Sequence, residues 1–381
     1  MPDGAGHAIG PLTVQIDSTD PGGAARLIGE LGAIDPALVI LFGSPREALA
    51  PLAHELRAAL SDCRVAGCSS AGEIGCAGYC TGQIVAIGFP RTTFRAEIEV
   101  LRNLAHIPVS DWMAQLRKGH AAFAGDREKA KFGLLFSDGL AGKEEVLIAA
   151  IEAALPAMPV LGGSAADGLE FTRTCLIADD EVASDIAVFV MVETMLPVSE
   201  VTFAHFSPTD TRAVVTAAIP DQRIILELNA EPAAEEYARL TGIAEADLTP
   251  TDFARHPLLL RMGRRHHVRA IRARTDRGGL SLMSAIEVGT VLTLGRAEDL
   301  THGFASAMEA LPRRPLLVLG FDCILRRLAL ERAGLLGAQS ELFARYNIIG
   351  FNTYGEQHNA MHVNQTFVGL AILPPPPAVH P

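Results

Sequence analysis

At 381 residues the chain is long for one hydrophobic core, so two domains are expected. With 49% hydrophobic and 20% charged residues it is a globular chain and not a disordered one. A formal net charge of −12 excludes a general attraction to nucleic acid or to anionic membrane surfaces.

Residues 1–23 read as a polar, glycine-rich lead-in carrying a first strand at LTVQI. The opening MPDGAGHAIGPL lacks the basic-then-apolar pattern of a signal peptide, and apolar runs such as IAVFVMV are too short to span a bilayer. The expectation is a soluble, cytoplasmic protein. A short helix follows over Ala24 to Leu31. Then ALVILFGSPREALAPLAHELRAAL reads as strand, loop and amphipathic helix. The same grammar recurs at FGLLFSDGLAGKEEVLIAAIEAAL and PLLVLGFDCILRRLALERAGLL. Small or polar residues follow each strand: Ser44, Ser137 with Asp138, and Asp322 with Cys323. Such positions collect ligand-facing groups, although Ser and Asp there also simply cap helices.

Antiparallel pieces lie between these units. QIVAIGFP and FRAEIEVL read as a hairpin turning at RTT, and CLIADDEVASDIAVFVMV as another. Around Thr209 to Pro220 the chain is polar, and the lobe boundary is placed there. RIILELNAEPAAEEYARLTG then gives a strand, a turn with Asn229 and Pro232, and a helix ending at Gly242. Arg261 to Arg277 forms a basic island, with VRAIRAR as a single arginine-rich strand. It is either a solvated face or a source of arginines for a ligand's carboxylates. The proline-rich tail occupies residues 374–381.

The six cysteines show no C-x-x-C pair and read as free, mostly buried thiols. A nucleophile at Cys68 beside Glu73 has no local histidine base. No Walker or G-x-G-x-x-G pattern follows a strand.

Two glycine turns organise the rest: GCSSAGEIG from Gly67 and GFNTYGEQ from Gly350. They share glycine at positions one and six, a hydroxyl residue at four and Glu at seven, which suggests two related lobes presenting loops to one site. VLGGSAADG, from Val160, is a third glycine-dense turn. The last turn runs into HNAMHVNQT, where MHVNQTFVGLAI reads as one strand with His362, Asn364 and Thr366 on a single face and His358 before it. An imidazole so placed either ligates a metal or haem iron, or is satisfied by a neighbouring carbonyl.

Taken in order, GCSSAGEIG, VLGGSAADG, ELNAEPAAEEY, GFDCILRR and GFNTYGEQ resemble the FIST family, FIST-N followed by FIST-C, over roughly residues 25–373. The resemblance implies a mixed α+β or α/β fold of two related lobes, each a mixed β-sheet with flanking helices. The expected divisions are a lead-in at 1–23, a FIST-N-like lobe at 24–214, a FIST-C-like lobe at 215–373 and the tail. It also implies a sensory, non-enzymatic protein. The ending GEQHNAMHVNQTFVG is similar to that of the family's bacterial nitric-oxide-sensing haemoproteins. That implies haem b held through His362, with His358 in reserve and Asn364, Tyr354 and Glu356 as further cofactor-binding candidates. Nitric oxide would be the ligand. The output would pass to a histidine kinase or to a cyclic-di-GMP enzyme (diguanylate cyclase or phosphodiesterase), with a homodimer as one possible assembly. The alternative is a haem-free module that binds an amino acid or another small metabolite.

Overall fold

The computed structural model describes residues 9–376 apart from 45, 124, 126–128, 264 and 359. The first eight residues of the lead-in and residues 377–381 of the tail lie outside the described residues. The fold is mixed α+β. By contacts it forms two compact units: one runs up to Thr202 and resumes at Phe304–Met361 and from Phe367; the other is Phe203–Gly303 with His362–Thr366.

The first unit repeats one plan three times. Each sheet has a central parallel pair: Pro36–Gly43 with Arg64–Ser69, Ala130–Asp138 with Val160–Ala165, and Leu317–Cys323 with Ile348–Thr353. Helices make the crossovers, as parallel pairing requires. The first, Arg46–Ala59, buries Leu49, Leu52, Ala53 and Leu56, an i, i+3, i+4, i+7 stripe laid against a strand whose every residue is buried. One long antiparallel strand flanks each pair: Gln83–Pro90, Ile186–Thr194 and Thr366–Ile372, respectively.

On its other side each parallel pair receives a short hairpin from a different layer. Glu73–Cys80 leaves the first sheet and joins the third; the segment 176–183 leaves the second and joins the first; the segment from Glu356 leaves the third and joins the second. The exchange is cyclic. Phenylalanines from all three layers meet inside: Phe42 stacks on Phe351 at 4.5 Å between ring centroids, and Phe136 lies 5.7 Å from Phe42 and 6.2 Å from Phe321. Burying each such ring contributes about 1.5–3 kcal/mol.

The second unit is an antiparallel sheet in the order Arg265–Arg269, Leu258–Met262, Val291–Ala297, Phe206–Ile219, Ile224–Leu228, Leu280–Leu282, Ile271–Arg274. The first and last strands of that order are separated in sequence only by Ala270, so the sheet curls until its two edges share one residue. Val215, Ile225, Leu258, Leu280 and Leu292 fill the inside with Tyr237 and Phe253 from the helices Ala233–Thr241 and Pro250–Arg255. Thr249 and Asp252 form a reciprocal capping box on the second helix.

Several expectations need correction. QIVAIGFP and FRAEIEVL both form strands but not a hairpin: Gln83–Pro90 sits between two partners in the first sheet, while Phe94–Arg102 pairs with Ile186–Thr194 in the second. Seven consecutive buried residues in the former need two neighbours; the latter is partly exposed and takes one. In the next hairpin Leu176–Ala178 pairs with Glu181–Ala183, inside the supposed acidic link, and not with Ile186–Thr194. VRAIRAR is two strands broken at Ala270, the sheet's corner. The polar stretch at 209–220 is no linker, and position 214/215 falls inside the strand Phe206–Ile219. MHVNQTFVGLAI is likewise two strands, Met361–Val363 and Thr366–Ile372, because Gln365 takes φ +56° between them. The alternation that set His362, Asn364 and Thr366 on one face does not survive that break.

Candidate functional site

Each glycine turn closes one parallel strand pair, and its first glycine is fixed by packing. A Cβ on Gly67, Gly162 or Gly350 would stand 2.0, 1.9 or 1.7 Å from the carbonyl oxygen of Leu41, Leu135 or Gly320, its register partner. No side chain fits at any of the three. From there the turns run together and bond to one another. Ala71 N–H donates to the Asn352 carbonyl at 3.0 Å, and Asn352 N–H to Gly72 at 2.7 Å. Ala166 N–H donates to Ser69 at 3.0 Å, Ser164 N–H to Gly355 at 2.8 Å, and Tyr354 N–H to Ser164 at 3.2 Å. The three loops form a closed triangle of main-chain hydrogen bonds at the carboxyl ends of the strands, where α/β sheets bind ligands.

The fifth residues of the turns, Ala71, Ala166 and Tyr354, pack with Ile324, Leu325 and Leu328 in a small apolar plug. Carboxylates surround it. Ser70 Oγ donates to Glu73 at 2.6 Å and Ser44 Oγ at 3.3 Å; Thr353 Oγ1 donates to Glu356 in the matching position. Burial pushes the Glu73 carboxyl above its usual range, only partly offset by the Ser70 and Ser44 hydroxyls. Asp167 goes the other way. Burial alone would raise it, but the Tyr354 hydroxyl and the amides of Arg173, Thr172 and Phe171 outweigh burial and hold it below the usual range. Behind the third turn, Asp322 and Arg326 form a fully buried ion pair at 2.8 Å, joined by Tyr79 and Gln339. Burial raises the Asp322 carboxyl, and Arg326 opposes the rise.

The rim is accessible. Phe171, 43% exposed, stacks on Tyr354 at 4.6 Å between centroids. Arg46, 26% exposed at its side chain, lies 3.8 Å from Asp167, and Arg327 donates to Asn352 Oδ1 at 2.9 Å. Aromatic plate, guanidinium and backbone amides thus sit together at one loop junction.

Of the residues singled out by sequence, Tyr354 and Glu356 belong to this junction. His358 ends the short strand that Glu356 begins, 4% exposed, with Nε2 at 2.8 Å from the Glu200 carboxylate. His362 and Asn364 are buried in the segment counted with the second unit. Among the described residues no cluster of three His, Cys, Asp or Glu could hold a metal ion. Cys68 is fully buried and its thiol is pushed well up by that burial, the reverse of an activated nucleophile. Cys63, Cys175 and Cys323 are buried as expected. Sequence reading missed Asp167, Arg46 and Arg327. Asp167 was hidden because it occupies the sixth position of its turn, where the other two have glycine; aligning the first glycines alone would have found it.

Residues 37–231 match the FIST N domain and residues 233–359 the FIST C domain, so the chain belongs to the FIST family, whose domains are sensory domains of signalling proteins. No curated protein matches the chain. No described helix is long and apolar enough to cross a membrane.

Proposed function

We propose that this protein is a FIST sensory module that reads a small polar metabolite, of the size and polarity of an amino acid, at the junction of the three glycine turns. The observation that carries this reading is the convergence of the turns into one hydrogen-bonded triangle with Arg46, Phe171 and Tyr354 at its rim. A guanidinium at the rim suits a carboxylate, and a stacked aromatic pair suits an apolar or planar side chain. Because each turn holds the other two, ligand contact with one loop reaches all three layers, and a partner signalling enzyme reads the change.

The test is a thermal-shift screen of single amino acids and small carboxylates against the intact chain. A true ligand at a hundred times its Kd adds about 2.7 kcal/mol to stability. That gain should vanish in Arg46→Gln and fall in Phe171→Ala, both partly exposed positions whose loss leaves the folded state intact. No shift with any compound at saturating concentration sinks the reading.

The second reading is haem b as cofactor and nitric oxide as signal, with a histidine kinase or cyclic-di-GMP enzyme downstream, as in NosP-type sensors. It is supported by the motif HNAMHVNQT and by the burial of both imidazoles. Tested against the geometry, His358 does not fit as an Nε2 ligand, since that atom is engaged by Glu200. His362 is the imidazole that would hold the iron. When bound, haem would supply an open coordination position for a diatomic gas. Haem-reconstituted protein should then show a Soret band that shifts with nitric oxide, changes in His362→Ala and persists in His358→Gln. Identical spectra for wild type and His362→Ala would remove His362 from that role.

A further inference from the structure

A second site lies at the opposite end of the same strands. A cavity of about 620 Å³ opens where Pro36–Gly43 and Arg64–Ser69 begin, and it takes the loop at Arg91–Phe94 and the end of Ile186–Thr194 as its other walls. In a chain of net charge −12, five of its lining residues are cations and three are carboxylates. The carboxylates are unevenly spent. Glu97 pairs with Arg64 at 2.5 Å, and Glu193 lies 3.5 Å from Lys129 and 3.6 Å from Lys131, which leaves Asp62 as the third.

Arg57, Arg91 and Arg95 are held mainly by main-chain carbonyls. Arg57 donates to Ser61 and Cys63, with Asp179 and Asp180 at 4.0 and 3.9 Å; Arg91 donates to Pro36 at 3.1 Å and Asp62 O at 3.0 Å, with the Asp35 carboxylate at 3.5 Å. Arg95 donates to the Phe123 carbonyl at 2.9 Å, and its guanidinium carbon sits 4.2 Å from the Phe123 ring centre. Carbonyls and a ring face orient a guanidinium without cancelling its charge, and such preorganised donors suit a planar or tetrahedral oxyanion. The volume is that of a small-molecule site.

We infer that this cavity binds a small multivalent oxyanion, carrying phosphate groups or several carboxylates, separately from the ligand of the glycine-turn junction. Of the two central strands that wall it, Arg64–Ser69 runs into the first glycine turn and Pro36–Gly43 ends beside it, where Ser44 reaches Glu73, so the two sites stand at the two ends of one pair of strands.

The test is calorimetric titration of the full chain at low ionic strength with two probes, pyrophosphate and citrate. Saturable binding of either, weakening as salt is raised, upholds the site, and the probe that binds names the group. Arg95→Gln should weaken binding about tenfold, and Arg95→Lys clearly less. Arg332→Gln, the same charge change on the exposed surface of helix Ile324–Arg332, should leave it unaltered. No binding of either probe up to about 10 mM overturns the inference. So does equal binding by wild type and Arg95→Gln, or an equal loss in Arg332→Gln.

Discussion

The turns from Gly67 and from Gly350 have the same skeleton and different occupants. Both begin with a glycine pressed against a carbonyl, both place a hydroxyl on a buried Glu three residues on, and they pair with each other through Gly350↔Ile74 and Phe351↔Glu73. Yet the first fills its middle with Ser69, Ser70 and Ala71, whereas the last brings Asn352, Thr353 and Tyr354, with Gln357 reaching Ser164 at 2.8 Å. The shared part is what the backbone demands. The part that differs faces Arg327, Asp167 and the rim.

The sharpest way to break the comparison is at the common glycine. Gly350→Ala places a methyl 1.7 Å from a carbonyl oxygen and should cost about 3 kcal/mol or more, seen as loss of soluble protein or a large drop in Tm. Gly29→Ala, in a helix with nothing within 4 Å, should instead gain up to about 1 kcal/mol.

Next comes Asp167, the residue that replaces the sixth glycine in the middle turn. Asp167→Asn should destabilise by about 2–3 kcal/mol at neutral pH. Its folded-state carboxyl lies below the ordinary 3.8, so the stability it contributes is present above that value and is lost as pH falls through the folded value. Denaturant midpoints of variant and wild type should converge in acid.

Glu73 has the opposite sign. Its raised carboxyl favours the fold below the ordinary 4.5, and that contribution is lost as pH rises through the folded value. Glu73→Gln should therefore cost about 1 kcal/mol or less near neutral pH, and more in acid than at neutral pH, read from denaturant midpoints of variant and wild type. A similarly small effect is expected of Tyr354→Phe, which removes one hydroxyl from Asp167: about 1 kcal/mol in stability and a change in the rim's ligand preference by thermal shift.

How far the sequence leads follows from which forces are local. The strand–helix units were legible because buried runs such as Pro36–Gly43 and the stripe on Arg46–Ala59 are written in consecutive residues. The helix Ala233–Thr241 and its Gly242 stop, at φ +73°, were legible for the same reason. Pairing was not. Nothing near Glu73 says that its strand partner is Phe351, and nothing near Gln83–Pro90 says that it avoids Phe94–Arg102. At the site, Tyr354 and Glu356 were reachable through the repeat in the turns. Asp167 needed its turn aligned on the first glycine, and Arg46 was out of reach, since only the closed triangle of loops brings it to Asp167 and so to Tyr354.

The cyclic exchange of hairpins also sets a timetable for a growing chain. The hairpin Glu73–Cys80 is made early, but the strand it must join, Ile348–Thr353, is translated more than half the chain later. Until then its edge has no partner in its final sheet, and the first turn lacks the carbonyl of Asn352. Contacts of such long sequence separation slow folding and leave strand edges open to wrong partners. The last layer acts as a latch: a nascent chain stopped before Leu317 would carry two layers that cannot close, and the triangle of turns would form only once the third turn, from Gly350 to Glu356, has been made.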